Sequence, residues 1–224
     1  NLLEQIYRRN FNRVRVIADV HGNLDGLKTV LDKRPDTFHL FLGDVIDYGL
    51  KSWECASWIN RLVSQGKALM VRGNHDAKMY RYIKQTTAGK DYSGTISHGM
   101  DVSTNQLKAM MPNQATRYQA QFVSLYEQSP DWIELGNWIF VHAAVDQRMW
   151  GDTSFRALPN SRNESYALYG ETDGTKDEDG KPTRLYNWIN DMPSGKNAML
   201  GHQILSREAV VEERSPMGSL IVFL

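Results

Sequence analysis

Two patterns of hydrophobic and polar positions alternate along the first half of the chain, one typical of strands and the other typical of helices. Short runs of apolar and β-branched residues predict strands at 14–18, 38–42 and 68–71. Stretches with apolar residues three or four positions apart follow these runs and predict helices at 24–33, 53–63 and 77–84. A strand–helix order that occurs three times in succession predicts a parallel sheet with right-handed crossover connections.

The middle of the chain has a different pattern. A long mixed stretch at 105–127 predicts a helical segment inserted at about 105–128, as a cap or a lateral subdomain. Two apolar runs, 132–135 and 138–141, are separated by a Gly-Asn pair and predict a β-hairpin. Residues 146–183 are rich in Gly, Asp, Asn, Ser and Lys, so we expect an irregular excursion with an exposed loop at 173–180.

The end of the chain returns to short apolar runs. These predict a core strand at 198–200 and closing strands at 209–212 and 219–223. A length of 224 residues suits one large domain and is short for two. We therefore expect a single catalytic domain over 1–224.

Composition narrows the function classes. The chain is 41% hydrophobic and 23% charged with a formal net charge of zero, so a nucleic-acid substrate would need a local basic patch. The single cysteine, Cys55, excludes an internal disulfide. No apolar run approaches the roughly 20 residues of a membrane span, and no secretory signal is recognised. These features predict a cytoplasmic protein without a membrane partner.

Polar clusters follow five of the predicted strands. They are Asp19-Val20-His21-Gly22, Gly43-Asp44-Val45-Ile46-Asp47, Gly73-Asn74-His75-Asp76, Val141-His142-Ala143 and Gly201-His202-Gln203. Any one of them alone is weak, since a single strand-end histidine is more often structural, as we expect for His39 inside a strand. Ligands of open α/β sheets bind beyond the carboxyl ends of the strands, so five such clusters predict one functional rim.

The residue types in these clusters suit divalent metal ions. Asp, His and Asn are ligands for Mn, Fe, Zn or Mg, and the carboxylate of Asp44 can bridge two ions. Two cations a few Å apart polarise a phosphoryl group and lower the pKa of a water molecule between them. His75 is placed to protonate a leaving oxygen, and Asp47 can hold its imidazole and raise its pKa.

The motifs resemble the phosphoprotein-phosphatase branch of the calcineurin-like metallophosphoesterases. That branch has Asp-X-His-Gly, Gly-Asp-X-X-Asp, Gly-Asn-His-Asp/Glu, His-Ala and Gly-His in this order, and the resemblance covers residues 14–203. Ile204 stands where nuclease-type relatives have a further histidine, which favours the phosphatase branch. Further stretches at 73–80, 97–100 and 167–172 resemble PrpE-like diadenosine tetraphosphate hydrolases and the phosphatase module of bacterial RNA-repair polynucleotide kinase-phosphatases. No Gly-X4-Gly-Lys-Ser/Thr loop is present, so no kinase module is expected.

The resemblance implies a fold, a ligand set and an acid pair. The fold implied is a four-layer αββα sandwich with the site at its rim. One ion would be held by Asp19, His21 and Asp44, and the other by Asp44, Asn74, His142 and His202. Manganese is the expected metal, with iron, zinc, nickel or magnesium as alternatives. His75 with Asp47 would be the catalytic dyad, and Asn74 would also contact the phosphate.

Two departures from the family pattern concern the phosphate and the end of the chain. The family usually has an arginine after the second Asp of Gly-Asp-X-X-Asp, where it binds phosphate with a bidentate fork. Here that residue is Tyr48, whose phenol donates one hydrogen bond and carries no positive charge. Arg72 and Arg184 are candidates for the missing role, and each could equally be a surface arginine. The family's Asp-Thr-Gly segment after the last histidine is absent from 207–217.

Three functions follow as hypotheses. The leading one is a serine/threonine-phosphatase-like hydrolase of phosphomonoesters, acting through direct attack of metal-activated water. The second is a nucleotide or RNA-end phosphoesterase that acts on diadenosine tetraphosphate or on 3′-phosphate and 2′,3′-cyclic phosphate ends. The third, from another class, is a non-catalytic metal-binding regulatory protein. The expected partner is accordingly a phosphorylated substrate: a phosphoprotein, a nucleotide or an RNA end.

Overall fold

A computed structural model describes residues 9–31, 34–176, 178, 180, 182–203 and 210–224. The chain forms two compact units, Asn1–Ser129 and Pro130–Leu224. Some predictions concern residues outside this description. They are the end of the predicted helix at 32–33, part of the predicted loop at 173–180, Ile204, and the start of the predicted strand at 209. A single catalytic domain over both units stays a prediction.

The first unit contains the predicted strand–helix repeat. Its strands are β1 (Arg13–Ile17), β2 (Thr37–Phe41) and β3 (Ala68–Met70). Its helices are α1 (Leu24–Val30), α2 (Ser52–Ser64), α3 (Asn74–Thr87), α4 (Met100–Ala109) and α5 (Pro112–Gln128). The strands lie in the order β1-β2-β3 and both pairs are parallel, which confirms the parallel sheet.

The central strand β2 is buried along its whole length. This is why its sequence is a continuous apolar run interrupted only by His39, which is buried at 5% exposure. Helix α2 packs its apolar face into the same core through Trp53 and Ile59, both fully buried. The register pairs Ile17 with Phe41 and Phe41 with Met70, so the three strands end together and their following loops share one edge.

The helical segment predicted at 105–128 is two helices with a break at Met110 and Met111. Pro112 begins α5 at the first helical position, where its fixed φ suits a helix and its missing N–H costs nothing. Phe122 of α5 is fully buried against Trp53 of α2, with ring centroids 5.8 Å apart. The segment is therefore part of the core of the first unit.

The second unit is built on a mixed five-stranded sheet in the order β4-β5-β8-β10-β9. Its strands are β4 (Trp132–Leu135), β5 (Trp138–Val141), β8 (Asn197–Leu200), β9 (Val211–Arg214) and β10 (Leu220–Phe223). The predicted hairpin is confirmed, since β4 and β5 pair antiparallel. Strand β8 pairs parallel with β5 on one side and with β10 on the other, so β5 and β8 end at the same edge.

The excursion at 146–183 is more regular than its composition predicts. It contains helix α6 (Arg162–Tyr169) and a separate hairpin of β6 (Glu171–Lys176) and β7 (Pro182–Leu185). Ser161 caps α6 by accepting a hydrogen bond from the Glu164 N–H. Among the described residues, no helix combines the length and the apolar composition that crossing a membrane requires.

Candidate metal centre

Three predicted site residues of the first unit come together beyond its sheet. His21, Asp44 and His75 each present a ligand atom, and these atoms all lie within 4.8 Å of one another. Asp44 is buried at 1% exposure, whereas both histidines are partly exposed. A carboxylate and imidazoles in such a group form a donor set that suits a divalent transition-metal ion.

The turn that carries Asp44 is held by the neighbouring motif. Gly43 and Asp44 both have left-handed backbones, with φ of 89° and 49°. The buried carboxylate of Asp76 accepts hydrogen bonds from the N–H groups of Asp44 at 2.8 Å and Val45 at 3.1 Å. The His75 N–H donates to Oδ1 of Asp44 at 3.0 Å. One carboxylate therefore fixes the backbone of the turn, and a helix N–H orients the ligand itself.

Gly73 lies against the same turn so closely that only glycine fits there. A Cβ at this position would lie 2.1 Å from Oδ1 of Asp44 and 2.3 Å from its backbone nitrogen. The φ of Gly73 is −103°, so the requirement is for space and not for an unusual backbone conformation. The glycine that precedes Asn74 thus lets α3 begin directly beside Asp44.

His21 is oriented as a metal ligand would be. Its Nδ1 lies 2.8 Å from the carbonyl oxygen of Ile46, and its Nε2 lies 3.9 Å from Oδ2 of Asp44. A hydrogen bond from Nδ1–H to a carbonyl fixes the ring and leaves Nε2 as the unprotonated nitrogen, which is the usual arrangement of metal-bound histidines.

His75 and Asp47 form the predicted dyad. Nδ1 of His75 lies 2.8 Å from Oδ2 of Asp47, which is completely buried. Burial alone lowers the pKa of His75, but the hydrogen bond to Asp47 and the charges of Asp44, Asp47 and Asp76 outweigh it, so the pKa is raised. The ring therefore favours its protonated form, which a proton donor requires.

The backbone at Asp47 is supported by two buried hydroxyl groups. Its N–H donates to Oγ of Ser103 at 3.0 Å and to Oγ of Ser52 at 3.1 Å, and the two hydroxyls are bonded to each other at 3.0 Å. Ser52 begins α2 and Ser103 lies in α4, so two helices hold the dyad's carboxylate in place.

Asp19 and Asn74 occupy the predicted positions but lie outside the group of three. Asp19 follows β1 with φ of 20° and is partly exposed, and Asn74 is the first residue of α3. Their roles as ligands, and that of Asn74 as a phosphate contact, stay predictions.

The second unit brings its two predicted ligands together independently. His142 follows β5 and is completely buried, and His202 follows β8 with a left-handed φ of 65°. Nδ1 of His202 lies 3.0 Å from Nε2 of His142. These residues meet because β5 and β8 are adjacent parallel strands. Two imidazole nitrogens at this separation can bind one ion when both are unprotonated.

The three candidates for phosphate binding differ in their surroundings. Nε of Arg72 donates to the carbonyl oxygen of Tyr126 at 3.2 Å, and its guanidinium lies 4.5 Å from the centroid of that ring. Arg184, in β7, donates to the carbonyl oxygen of Tyr169. Tyr48 lies beside the group of three, with its ring centroid 4.9 Å from that of His21. Phosphate binding by these three residues stays a prediction.

The family model that matches this chain is that of the calcineurin-like phosphoesterases, over residues 12–215. The chain belongs to this family. The metallophosphoesterase fold expected from the motifs is therefore confirmed, and so is the class of the protein as a hydrolase of phosphoric esters. Family membership also implies divalent metal ions, for which the donor groups described above are suited.

Named relatives are the asymmetrical bis(5′-nucleosyl)-tetraphosphatases PrpE of Bacillus species and related bacteria. The protein of Bacillus velezensis is 26% identical over 222 residues, covering 93% of this chain and 84% of the relative. The protein of Halalkalibacterium halodurans is 28% identical over 222 residues, covering 93% of this chain and 85% of the relative. These relatives confirm the likeness to PrpE-like hydrolases that the motifs indicate.

Solved structures share the fold at low sequence identity. A protein serine/threonine phosphatase from Saccharomyces cerevisiae has a TM-score of 0.57 at 15% identity, covering 99% of this chain and 74% of the other. A cold-active protein tyrosine phosphatase has a TM-score of 0.52 at 16% identity, covering 94% and 68%. At such identities the likeness shows the fold alone.

Several positioning residues are not found by motif reasoning. Asp76 is the last residue of the Gly-Asn-His-Asp motif and the third residue of α3. An acidic residue at this position of a helix indicates capping, but nothing in the sequence indicates its hydrogen bond to Asp44. Ser52 and Ser103 are 51 residues apart in sequence, and no spacing rule connects them. Gly99, whose backbone meets Tyr48, belongs to a shared stretch to which the sequence assigns no role.

Proposed function

We propose that this phosphoesterase binds two divalent metal ions and hydrolyses dinucleoside polyphosphates. The proposed metal ligands are those predicted from the sequence, namely Asp19, His21, Asp44, Asn74, His142 and His202. Two pairs of these ligands are supported by the short distances between their ligand atoms within one unit: His21 with Asp44 in the first unit, and His142 with His202 in the second. When bound, such ions polarise the phosphoryl group and lower the pKa of the attacking water. Manganese is the proposed metal, with iron, zinc, nickel and magnesium as the alternatives to be compared.

Hydrolysis of a phosphoric ester at this centre is supported most directly by the hydrogen bond of 2.8 Å between His75 and Asp47, beside Asp44 and His21. Hydrolysis forms a bond between phosphorus and the oxygen of water and breaks the bond to the leaving oxygen. Because Nδ1 of His75 is held by Asp47, the other nitrogen, Nε2, is the one that donates a proton to that oxygen. Asp47 stabilises the protonated ring before the step and fixes its orientation.

The choice of dinucleoside polyphosphates is supported by two observations. Relatives that align over 84–85% of their own length are named as bis(5′-nucleosyl)-tetraphosphatases. In addition, Tyr48 replaces the arginine that would bind a terminal phosphate dianion, and its ring lies at the site. A phosphate inside a polyphosphate chain carries less charge than a terminal one, so it depends less on such an arginine.

Phosphomonoesters are the second candidate, and the His75–Asp47 pair favours them. An alkoxide such as that of a serine side chain is a poor leaving group and needs a proton as it departs, whereas a nucleoside phosphate leaves as a stabilised anion. A proton donor this well supported is therefore most useful with alkyl phosphates. Hydrolysis of RNA ends is the remaining alternative, and the substrate panel below tests it together with these two candidates.

A substrate panel tests the proposal. Purified protein with added Mn²⁺ is assayed for kcat/KM on diadenosine tetraphosphate, a phosphoserine peptide, an RNA 3′-phosphate and bis-p-nitrophenyl phosphate. The proposal predicts the highest value for diadenosine tetraphosphate. A higher value for the phosphoserine peptide would establish the second candidate, and a higher value for RNA 3′-phosphate would establish the RNA-end alternative.

A further inference from the structure

Tyr48 is an exposed aromatic residue beside His75 and His21. Its side chain and backbone together are 51% exposed. Its ring centroid lies 5.3 Å from that of His75 and 4.9 Å from that of His21. A single exposed aromatic residue is ordinary on a protein surface. This one is unusual because it contacts both histidines of the candidate centre.

The position of the Tyr48 ring is fixed by its backbone. Tyr48 has a left-handed φ of 58°, which a bulky residue seldom adopts. Its N–H donates to the carbonyl oxygen of Gly99 at 3.3 Å. A Cβ on Gly99 would lie 2.6 Å from the Tyr48 nitrogen and 2.7 Å from its Cδ1. The residue preceding α4 therefore has to be glycine for this ring to lie where it does.

Two basic side chains, Lys78 and His98, are bonded to Ser97 in the short segment that leads to Gly99. Lys78 follows His75 by one turn of α3, and its Nζ donates to the carbonyl oxygen of Ser97 at 3.0 Å and to its Oγ at 3.2 Å. The same Oγ lies 2.9 Å from Nδ1 of His98, which is exposed and precedes Gly99. An ammonium group has three N–H donors, of which these bonds use two. Lys78 and His98 are thus tied to the segment that holds Tyr48.

We propose that Tyr48, Lys78 and His98 form the leaving-group subsite and that the leaving group it accepts is a nucleoside phosphate. The base stacks on the Tyr48 ring, and the departing phosphates face Lys78 and His98. The inference rests on the proposed function, because His75 defines the leaving side only if it donates the proton. In the step itself, the oxygen of water bonds to phosphorus and water releases a proton to the solvent, the phosphoanhydride P–O bond breaks, and a proton passes from His75 to the departing phosphate oxygen. His75 then takes up a proton from the solvent.

The proposal separates the contribution of the base from that of the phosphates, so two substrates test it. Diadenosine tetraphosphate has both, and inorganic tetraphosphate has only the phosphates. The variants are Tyr48→Leu, Tyr48→Phe and Lys78→Met. Tyr118→Leu and Lys84→Met serve as matched controls on α5 and α3, away from the proposed subsite. Melting temperatures verify that each variant is folded, and kcat/KM is measured with Mn²⁺ for both substrates and, as a third compound, for p-nitrophenyl phosphate.

The expected pattern is specific. Tyr48→Leu lowers kcat/KM for diadenosine tetraphosphate about tenfold more than for inorganic tetraphosphate, the effect of losing one base stacked on an aromatic ring. Tyr48→Phe keeps the ring and stays within about twofold of wild type on both substrates. Lys78→Met lowers both substrates by about the same factor, roughly tenfold, because it faces phosphate. The two controls retain wild-type values.

Equal losses for the two substrates in Tyr48→Leu would overturn the stacking role. A loss confined to p-nitrophenyl phosphate, an aryl ester without further phosphates, would instead assign the ring to aryl monoesters and also overturn the proposal. If wild-type protein hydrolyses none of these compounds in the presence of Mn²⁺, the proposed function itself fails, which is a different result from any pattern among the variants.

Discussion

The carboxylate of Asp76 accepts a hydrogen bond of 2.8 Å from the backbone N–H of Asp44, although the two residues are 32 positions apart. The last residue of the Gly-Asn-His-Asp motif therefore positions the metal ligand of the Gly-Asp-X-X-Asp motif. Asp76 also accepts from the Gly73 N–H at 3.2 Å, so it ties the start of α3 to the turn after β2. Two motifs that are read separately in the sequence form one structural unit.

Replacing Asp76 with Asn tests this connection. One of the two carboxylate oxygens becomes an NH₂ group that would face a backbone N–H, so the turn that carries Asp44 shifts. Loss of such a supporting partner typically weakens metal affinity by about 10–100-fold, and we expect a loss in that range. The measurement is the dissociation constant for Mn²⁺ by isothermal titration calorimetry. Asp101→Asn, an exposed acidic residue in the first turn of α4, is the control and should retain wild-type affinity. Equal affinities in both variants would contradict the positioning role.

The role of His75 as a proton donor predicts a dependence on the leaving group. His75→Gln should lower kcat for an alkyl phosphate by about 10²–10⁴-fold, and should lower it much less for p-nitrophenyl phosphate, whose leaving group needs no proton. Asp47→Asn should also affect the alkyl phosphate more than p-nitrophenyl phosphate, but with smaller losses, because Asp47 acts through the His75 ring. Rates on a series of phosphates with graded leaving-group pKa values measure the effect. Equal losses across the series would show that His75 serves another role, such as that of a metal ligand.

Introducing the family's arginine tests what Tyr48 has replaced. Tyr48→Arg adds a guanidinium next to His21 and His75, so inorganic phosphate should inhibit about tenfold more strongly. Competitive inhibition constants for phosphate measure this, and Tyr118→Arg controls for the added charge. An unchanged constant would mean that another cation already binds phosphate. Arg72 and Arg184 would then be substituted one at a time to identify that cation.

The surroundings of Asp146 lead us to expect that the stability of the second unit falls in acid. Its carboxylate, on a residue that is 6% exposed, accepts hydrogen bonds from Arg148 at 2.8 and 3.0 Å and forms an ion pair with Arg162 at 3.0 Å. The hydrogen bonds from Arg148 lower the pKa of Asp146, with the charge of Arg162 adding to the effect. A group with a lowered folded pKa stabilises the fold above its unfolded pKa of about 3.9 and loses that contribution as the pH falls through the folded value.

The free energy of unfolding should therefore differ most between wild type and Asp146→Asn near neutral pH. The difference should shrink as the pH falls below about 4. Urea unfolding at a series of pH values measures it. Asp152→Asn is a control on the same segment, where the carboxylate accepts hydrogen bonds from the backbone N–H and the hydroxyl group of Ser154. A difference that stays constant with pH would show that Asp146 contributes through shape and not through charge.

Strand ends were well predicted because apolar runs stop where parallel strands leave the sheet. The strand–helix repeat, the hairpin of β4 and β5 and the location of His142 and His202 after adjacent strands all follow from that pattern. Most boundaries agree within three residues, as at α3, which begins at Asn74 because Gly73 caps it and not at residue 77. A larger difference is the start of α4 at Met100, five residues before the predicted helical segment.

Contacts between distant positions could not be predicted in this way. Ser52 and Ser103 accept hydrogen bonds from the backbone N–H of Asp47. They are ordinary serines in two helices, and the packing of these helices depends on the tertiary structure. The contact of Arg72 with Tyr126 is another example, since Tyr126 becomes adjacent only when α5 packs into the core. The excursion at 146–183 reads as irregular because its polar composition hides the hairpin of β6 and β7.

The account depends most on Asp44 as a metal ligand in a phosphoesterase. The direct measurement is hydrolysis of p-nitrophenyl phosphate by metal-stripped protein as Mn²⁺ is added, for wild type, Asp44→Asn and the exposed control Asp25→Asn. We predict that Mn²⁺ restores the rate of wild type and of Asp25→Asn, and that Asp44→Asn stays at least about 100-fold slower at the same Mn²⁺ concentration. A wild-type rate that does not depend on the metal, or an Asp44→Asn variant as active as wild type, would contradict the account.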